Sequence, residues 1–322
     1  MPSSKSYDEF SRARDNIKRG AKEPNYLGTA TFVGFRAADP FLQYGILTKG
    51  WGSSVIEKLG GGVLPEGPPL VTNTPFDALG LSPYRSILFG MSVGSMLKQN
   101  LHITTIMQEE MTPATGAFVG VFNSVFNSLN SLFFICSQTS ASVNGEHFPQ
   151  TPLIVGSAMY SIGLSLELLS EMQRAAWKKS PYNNGKVYKG GLFSLSRHIN
   201  YFGYTMWRSG YALAAGGWVW GAATAAFFVY DFTQRGIPVL QHYLEEKVSL
   251  ALEQADRDCV LADSVCSTAK STSNTRRLCR ISSCRSCGER SDYDSLRCLS
   301  ITFSAMLSSR TFIHYARHLC IL

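Results

Sequence analysis

The sequence predicts an all-α polytopic bundle of about five or six transmembrane helices. Charged residues are only 16% of the chain and hydrophobic residues 45%, whereas a soluble domain carries about 25% charge. The apolar residues gather into windows that approach the roughly 20 residues a bilayer core requires. The cations gather between and around those windows. Several such windows in 322 residues are hard to bury without lipid, which argues against a large soluble protein. The net charge of +7 suits nucleic acid or an anionic membrane face equally. Clustering decides for the membrane, and no nucleic acid is expected as a partner.

The elements follow in order. Residues 1–24 form a polar arm with Lys5, Arg12, Arg14, Lys18, Arg19 and Lys22. It lacks a short apolar core with a small-residue cleavage site, so insertion is expected to begin at the first spanning helix. Residues 26–47 are the weakest window, because Arg36 and Asp39 interrupt it. "LGGGVLPEGPP" after it is a turn-rich loop; a phosphate loop needs a preceding strand and a lysine at fixed spacing. Residues 79–97 are the next window, softened by Arg85. Residues 117–137 follow, with Asn123, Asn127 and Asn130 at i, i+4 and i+7 on one face. Amides facing lipid are costly, so this stripe is expected to turn inward and hydrogen-bond between helices. Residues 152–169 are another window, and 202–232 the strongest. At ~1.5 Å per residue the last far exceeds a ~30 Å hydrocarbon core. It is therefore either a hairpin broken near Gly216-Gly217 or one protruding helix.

The loop 174–197 carries Arg174, Lys178, Lys179, Lys186, Lys189 and Arg197 with no acidic residue between them. The positive-inside rule places it in the cytosol. The basic N-terminal arm goes to the same side, and four spans between the two satisfy both assignments.

The candidate site lies where this loop meets the last window. Glu167, Glu171, Arg174 and Lys178 recur at i, i+4, i+7 and i+11, one helix face with carboxylates deeper and cations nearer water. Arg197 and His198 can approach from the next helix, and a dinucleotide with three phosphates suits such a cluster. The bland alternative for the lysines is that they snorkel and mark the interface. Asn200 and Tyr201 complete "SRHINYFG" and need partners if buried.

"SEMQRAAWKK", "NNGKVYKGGLFSLSRHINYFG" and "DFTQRGIPVLQHYLEEK" resemble the C-terminal half of the steroid 5-alpha-reductase-like membrane proteins, in their DUF1295 branch. The likeness rests on Glu171, Gln173, Arg174, Trp177, Lys178, Asn184, Gly185, Lys186, Gly191, Leu192, Ser196, Arg197, His198, Asn200, Tyr201 and Gly203. It covers residues 166–247 well and 26–130 loosely. The Arg-His-x-Asn-Tyr core is shared with the isoprenylcysteine methyltransferase group, which uses S-adenosylmethionine. The resemblance implies an NADPH-dependent reductase of a carbon–carbon double bond in an apolar enone or sterol-like compound. It implies multi-pass residence in the endoplasmic reticulum membrane, with loop 174–197 facing the cytosol. It further implies that Arg174, Lys178, Arg197, His198 and Asn200 hold the cofactor. Hydride addition builds charge on the conjugated oxygen, so a nearby acid is needed; Tyr201 and Glu167 are the candidate catalytic residues. The alternatives are an S-adenosylmethionine-dependent methyltransferase of a lipid or prenylated substrate, and a non-catalytic membrane protein. No metal site and no obligate protein partner are expected. The expected partners are the membrane and a lipid-soluble small molecule. Ile199 and Tyr204 depart from the family pattern, which usually has proline and often an acid there.

The domain reading is an arm at 1–24, a membrane domain at 25–247 and a Cys/Ser/Arg-rich tail at 248–322. All but one of the eight cysteines lie in that tail. Cys284 and Cys287 form a C-x-x-C without the second pair that structural zinc uses. A disulfide domain needs an oxidising compartment. The reading preferred is a tail without designed structure, arising where a reading frame runs through the intron signal that "VS" after Lys247 can encode. The tail then replaces the family's closing segment over the cofactor.

Overall fold

The computed structural model describes residues 25–142, 150–183, 186–246 and 248–250, with positions 253 and 257. The basic arm and the tail's cysteines lie outside the described residues. The chain divides into two compact units, Met1–Tyr243 and Leu244–Leu322; the architecture below is that of the first.

Helix α1 is Tyr26–Lys49. Asn25 caps it, its side chain accepting from Gly28 N at 3.0 Å, and Gly50 ends it in the left-handed region at φ 62°. A short α2, Ser53–Lys58, follows. After the loop comes α3, Pro83–Leu101, with proline in its first turn, where no N–H is missed. Arg85, which interrupted the sequence window, is a structural tie. Its guanidinium donates to the carbonyls of Leu47, Leu64 at 3.2 Å and Pro65 at 3.0 Å, closing the end of α1 and the turn-rich loop. A π-helical turn, His102–Ile106, ends this element. Helix α4 is Pro113–Ile135, α5 is Thr151–Lys178 and α6 is Ile199–Asp231. A second π-helical turn, Phe232–Gly236, follows α6, just before Pro238, which cannot donate into the helical ladder. No β-strand occurs among the described residues, only an isolated bridge between Val63 and Cys136.

Among the described residues three helices are long and apolar enough to cross a membrane: α4, α5 and the run Ile199–Leu250 that contains α6. Helices α1 and α3 form as well, with ionic groups turned into the bundle. The strongest window is a hairpin. Gly216 and Gly217 leave helical geometry, Gly217 at φ 73° and ψ −170°, a conformation only glycine adopts easily. The arms 199–215 and 218–231 fold back on each other. Gly221 abuts Leu213, Tyr204 meets Phe228 at 5.2 Å between ring centroids, and Tyr201 meets Phe232 at 4.6 Å.

The most extensive packing is α5 on the first arm of α6, and small residues make it. A Cβ added at Gly156 would lie 2.6 Å from Gly210 O, and one at Gly163 would lie 2.5 Å from Trp207 N. Backbones thus touch, as small-residue seams permit between membrane helices. The hydroxyls of Tyr84, Tyr160 and Tyr211 donate to the carbonyls of Ala214, Met91 and Leu88 on neighbouring helices at 2.9, 2.7 and 3.1 Å.

The asparagine stripe turns inward and bonds between helices, as its spacing predicts. Asn127 donates to Asp39 at 2.6 Å. Asn123 accepts from Gln99 at 2.7 Å and from Arg208. Asn130 accepts from Trp220 at 2.7 Å. Asp39 also pairs with Arg36 at 3.1 Å and accepts from Gln43 at 2.9 Å. Arg36, Asp39, Asn123, Asn127 and Arg208 are all essentially fully buried. A polar seam therefore ties α1, α3, α4 and α6 together inside an otherwise apolar bundle.

Candidate functional site

The site forms where the C-terminal part of α5, the start of α6 and the end of α3 meet. Helical spacing sets Glu167, Glu171 and Arg174 on one face of α5, and the glycine seam presses that face onto α6. Glu171 is buried, at 3% exposure. One oxygen accepts from Asn200 Nδ2 at 2.9 Å, and the other pairs with Arg174. One turn deeper, Glu167 pairs with Lys98 of α3 and accepts from Trp207 Nε1 at 2.7 Å. Lys98 also lies over the Trp207 ring, 5.9 Å from its centroid. Each carboxylate thus bridges helices, and each holds one cation.

The loop between α5 and α6 closes over the end of α5. Gln173 Oε1 accepts from Leu192 N at 2.9 Å. Gly191 sits beside it at φ 54°, where an added Cβ would lie 2.2 Å from that oxygen. Glycine is required here both for its backbone angle and for this approach. Trp177, Tyr188 and Phe193 pack in sequence, and the Arg174 guanidinium lies 5.7 Å from the centroid of Phe193.

At the start of α6, His198 occupies the N-cap position. Its ring lies parallel to Tyr201 at 5.5 Å, and Tyr201 lies parallel to Phe232 from the second arm. Partial burial, then the neighbouring Arg197 charge, holds the His198 imidazole below its ordinary value.

Of the residues expected from sequence, Glu167, Glu171, Arg174 and Asn200 come together directly. His198 and Tyr201 form the adjoining aromatic column. Lys178 and Arg197 lie on the exposed rim. Sequence reasoning missed Lys98, Trp207, Phe232 and His102. His102 opens the π-helical turn after α3 with its Nδ1 buried. The signal for two of these was "KQNLH", a polar cluster closing an apolar window. Trp207 and Phe232 carry no sequence signal apart from hydrophobicity. Among the described residues no cluster of side chains is suited to a metal ion.

The family model described as "Protein of unknown function (DUF1295)" matches residues 102–251. A protein of Ustilaginoidea virens described as "Probable O-methyltransferase ustE" is 39% identical over 242 residues, which cover 74% of this chain and 85% of that relative. No solved structure matches. The family match begins at His102 and takes in every residue of the site except Lys98, and the relative extends the likeness over most of the chain: this protein belongs to the DUF1295 family.

Proposed function

We propose that the chain is a membrane O-methyltransferase that moves a methyl group from S-adenosylmethionine to a hydroxyl of a lipid-soluble compound. The observation that carries this reading is the charge balance of the inner site. Lys98 is paired with Glu167 and Arg174 with Glu171, so the cations nearest the bundle interior are already neutralised. A dinucleotide phosphate brings several negative charges and needs unpaired cations. A sulfonium donor brings a positive charge, which suits paired carboxylates beside an aromatic column. The description of the similar Ustilaginoidea virens protein supports the same reaction class.

When bound, the cofactor supplies an electrophilic methyl group. The chain's own residues bind and orient it. Glu171 and Asn200 offer an acceptor and an amide to its amino and ribose groups. Glu167 fixes Lys98 and Trp207 and so sets the spacing of α3, α5 and α6. The apolar helices around the site exclude water and admit a lipid-soluble acceptor.

NADPH-dependent reduction of an enone is the second reading, favoured by the exposed cations Lys178, Lys186, Lys189 and Arg197 on the rim. In that reading Tyr201 or Glu167 supplies the proton. Titration of the purified protein in detergent with each ligand separates the two. S-adenosylmethionine should bind, and a labelled methyl group should appear as an ether on a lipid-soluble phenol. Binding of NADPH with oxidation by an enone, and no methyl transfer, would return the reductase reading. Removing Lys178 and Arg197 together should then weaken NADPH at least about tenfold, given roughly 1.5–3 kcal/mol per charge-assisted bond.

The basic loop also bears on sidedness. A cysteine at Lys186 in sealed microsomes should label with an impermeant reagent above the level of the parent protein. Labelling only after the vesicles are opened would place the loop, and the cofactor entrance, on the lumenal side.

A further inference from the structure

We infer that His102 is the base that takes the proton from the acceptor hydroxyl, an assignment that rests on the methyltransferase reading above. His102 stands at the head of the π-helical turn, which packs against α3 and α5. Turns of this kind recur at functional sites. Its Nδ1 is buried and has no hydrogen-bond partner among the described residues. An unpaired buried polar atom is destabilising, and a catalytic role is one of the reasons such an atom persists.

The surroundings fit a base. The charges that reach the ring are Lys98 from α3 and Glu167, Glu171 and Arg174 from α5, the same four that build the inner site. Burial first, and Lys98 next, hold the imidazole below its ordinary value. It is therefore neutral at neutral pH, with a lone pair available. The other basic groups are committed. Glu167 is taken by Lys98 and Trp207, and Glu171 by Arg174 and Asn200.

The step balances without an oxidant. The acceptor O–H bond breaks and its proton goes to His102 Nδ1. The oxygen electron pair forms the O–CH3 bond as the S–CH3 bond of the sulfonium breaks, and that pair returns to sulfur, leaving a neutral thioether. His102 then releases its proton to water.

The test compares His102→Gln and His102→Ala with the parent in detergent, using S-adenosylmethionine and two phenols. One phenol is weakly acidic; the other is perfluorinated and ionised throughout the pH range used. Cofactor affinity should stay within about twofold of the parent. With the weakly acidic phenol kcat should fall by about 10²-fold or more, and added imidazole should restore part of it in His102→Ala. With the ionised phenol the loss should be under about threefold, since no proton remains to be taken. Equal loss with both phenols, or no loss with either, would overturn the assignment while leaving the methyltransferase reading intact. If neither variant retains cofactor binding, the parent decides. Its kcat/KM for the weakly acidic phenol should fall with unit slope as pH drops through the lowered imidazole value, and the ionised phenol should show no such limb. An identical profile for the two overturns the assignment. A parent that transfers methyl to neither phenol removes both readings together.

Discussion

Alanine at Asp39 should destabilise the protein by about 3–5 kcal/mol, the range expected when one partner is removed from a buried ion pair. Among the described residues Asp39 is the one carboxylate in the polar seam described above, where it pairs with Arg36. Its Oδ2 meets Arg36 Nη1 at 3.1 Å and accepts from Asn127 at 2.6 Å, while Oδ1 accepts from Gln43 at 2.9 Å. Arg208 is close enough to Arg36 for the two charges to repel. Without Asp39, the fully buried Arg36 guanidinium loses its paired anion. The double variant Arg36→Leu with Asp39→Leu should lose much less, because apolar replacement of both partners leaves no orphaned charge. Denaturant unfolding in detergent, followed by helical circular dichroism, measures both. A loss under about 1 kcal/mol for Asp39→Ala, the level typical of an exposed pair, would show that the seam is hydrated and the pairing dispensable.

Leucine at Gly163 should reduce both stability and activity. Any Cβ at this position lies 2.5 Å from Trp207 N and 2.7 Å from Gly203 O. These are backbone atoms and cannot rotate away, so α5 and α6 must separate. Overpacking of this kind costs about 1–3 kcal/mol. The effect on the site is larger in proportion, because Glu167–Trp207 and Glu171–Asn200 both span the seam. A shift near 1 Å there can cost about 10²-fold in rate. Gly90 is the control. It is exposed on α3, with nothing within 4 Å of an added Cβ, so Gly90→Ala should leave activity unchanged and stabilise α3 by about 0.5–1 kcal/mol. Parent-like stability and ligand binding in Gly163→Leu would mean that the helices slide freely past each other.

Much of this arrangement is legible in the chain. Period-3.6 spacing alone aligns Glu167, Glu171 and Arg174, and the same rule turns the three asparagines to one side. The glycine pair 216–217 marks the break in the longest apolar run, because the angle at Gly217 is one no other residue type adopts at low cost. Spacing cannot show which cation each carboxylate holds. Lys98 reads as a stray charge at the end of a window, yet it lies against Glu167, 69 positions away in sequence. Arg36, Asp39 and Arg85 read as interruptions of membrane windows because hydropathy scores each residue alone. In the folded chain each is met by partners distant in sequence, which offsets part of the penalty that the score assigns. His102 went unnoticed for a related reason: its burial depends on α5, which lies far along the sequence.

The reversal at Gly216-Gly217 also governs the parity of crossings. An unbroken helix of 33 residues would extend about 50 Å at the usual rise, and Phe232 would emerge on the face opposite Tyr201. With the reversal, the end of the run returns toward the side from which it entered. Arg235 and the 174–197 loop therefore share one side, whichever side that is. Any insertion error that straightens the run inverts everything downstream of it and removes Phe232 from the aromatic column in the same event. The intact aromatic column and correct sidedness are thus one property of this segment: a molecule threaded wrongly here cannot keep both.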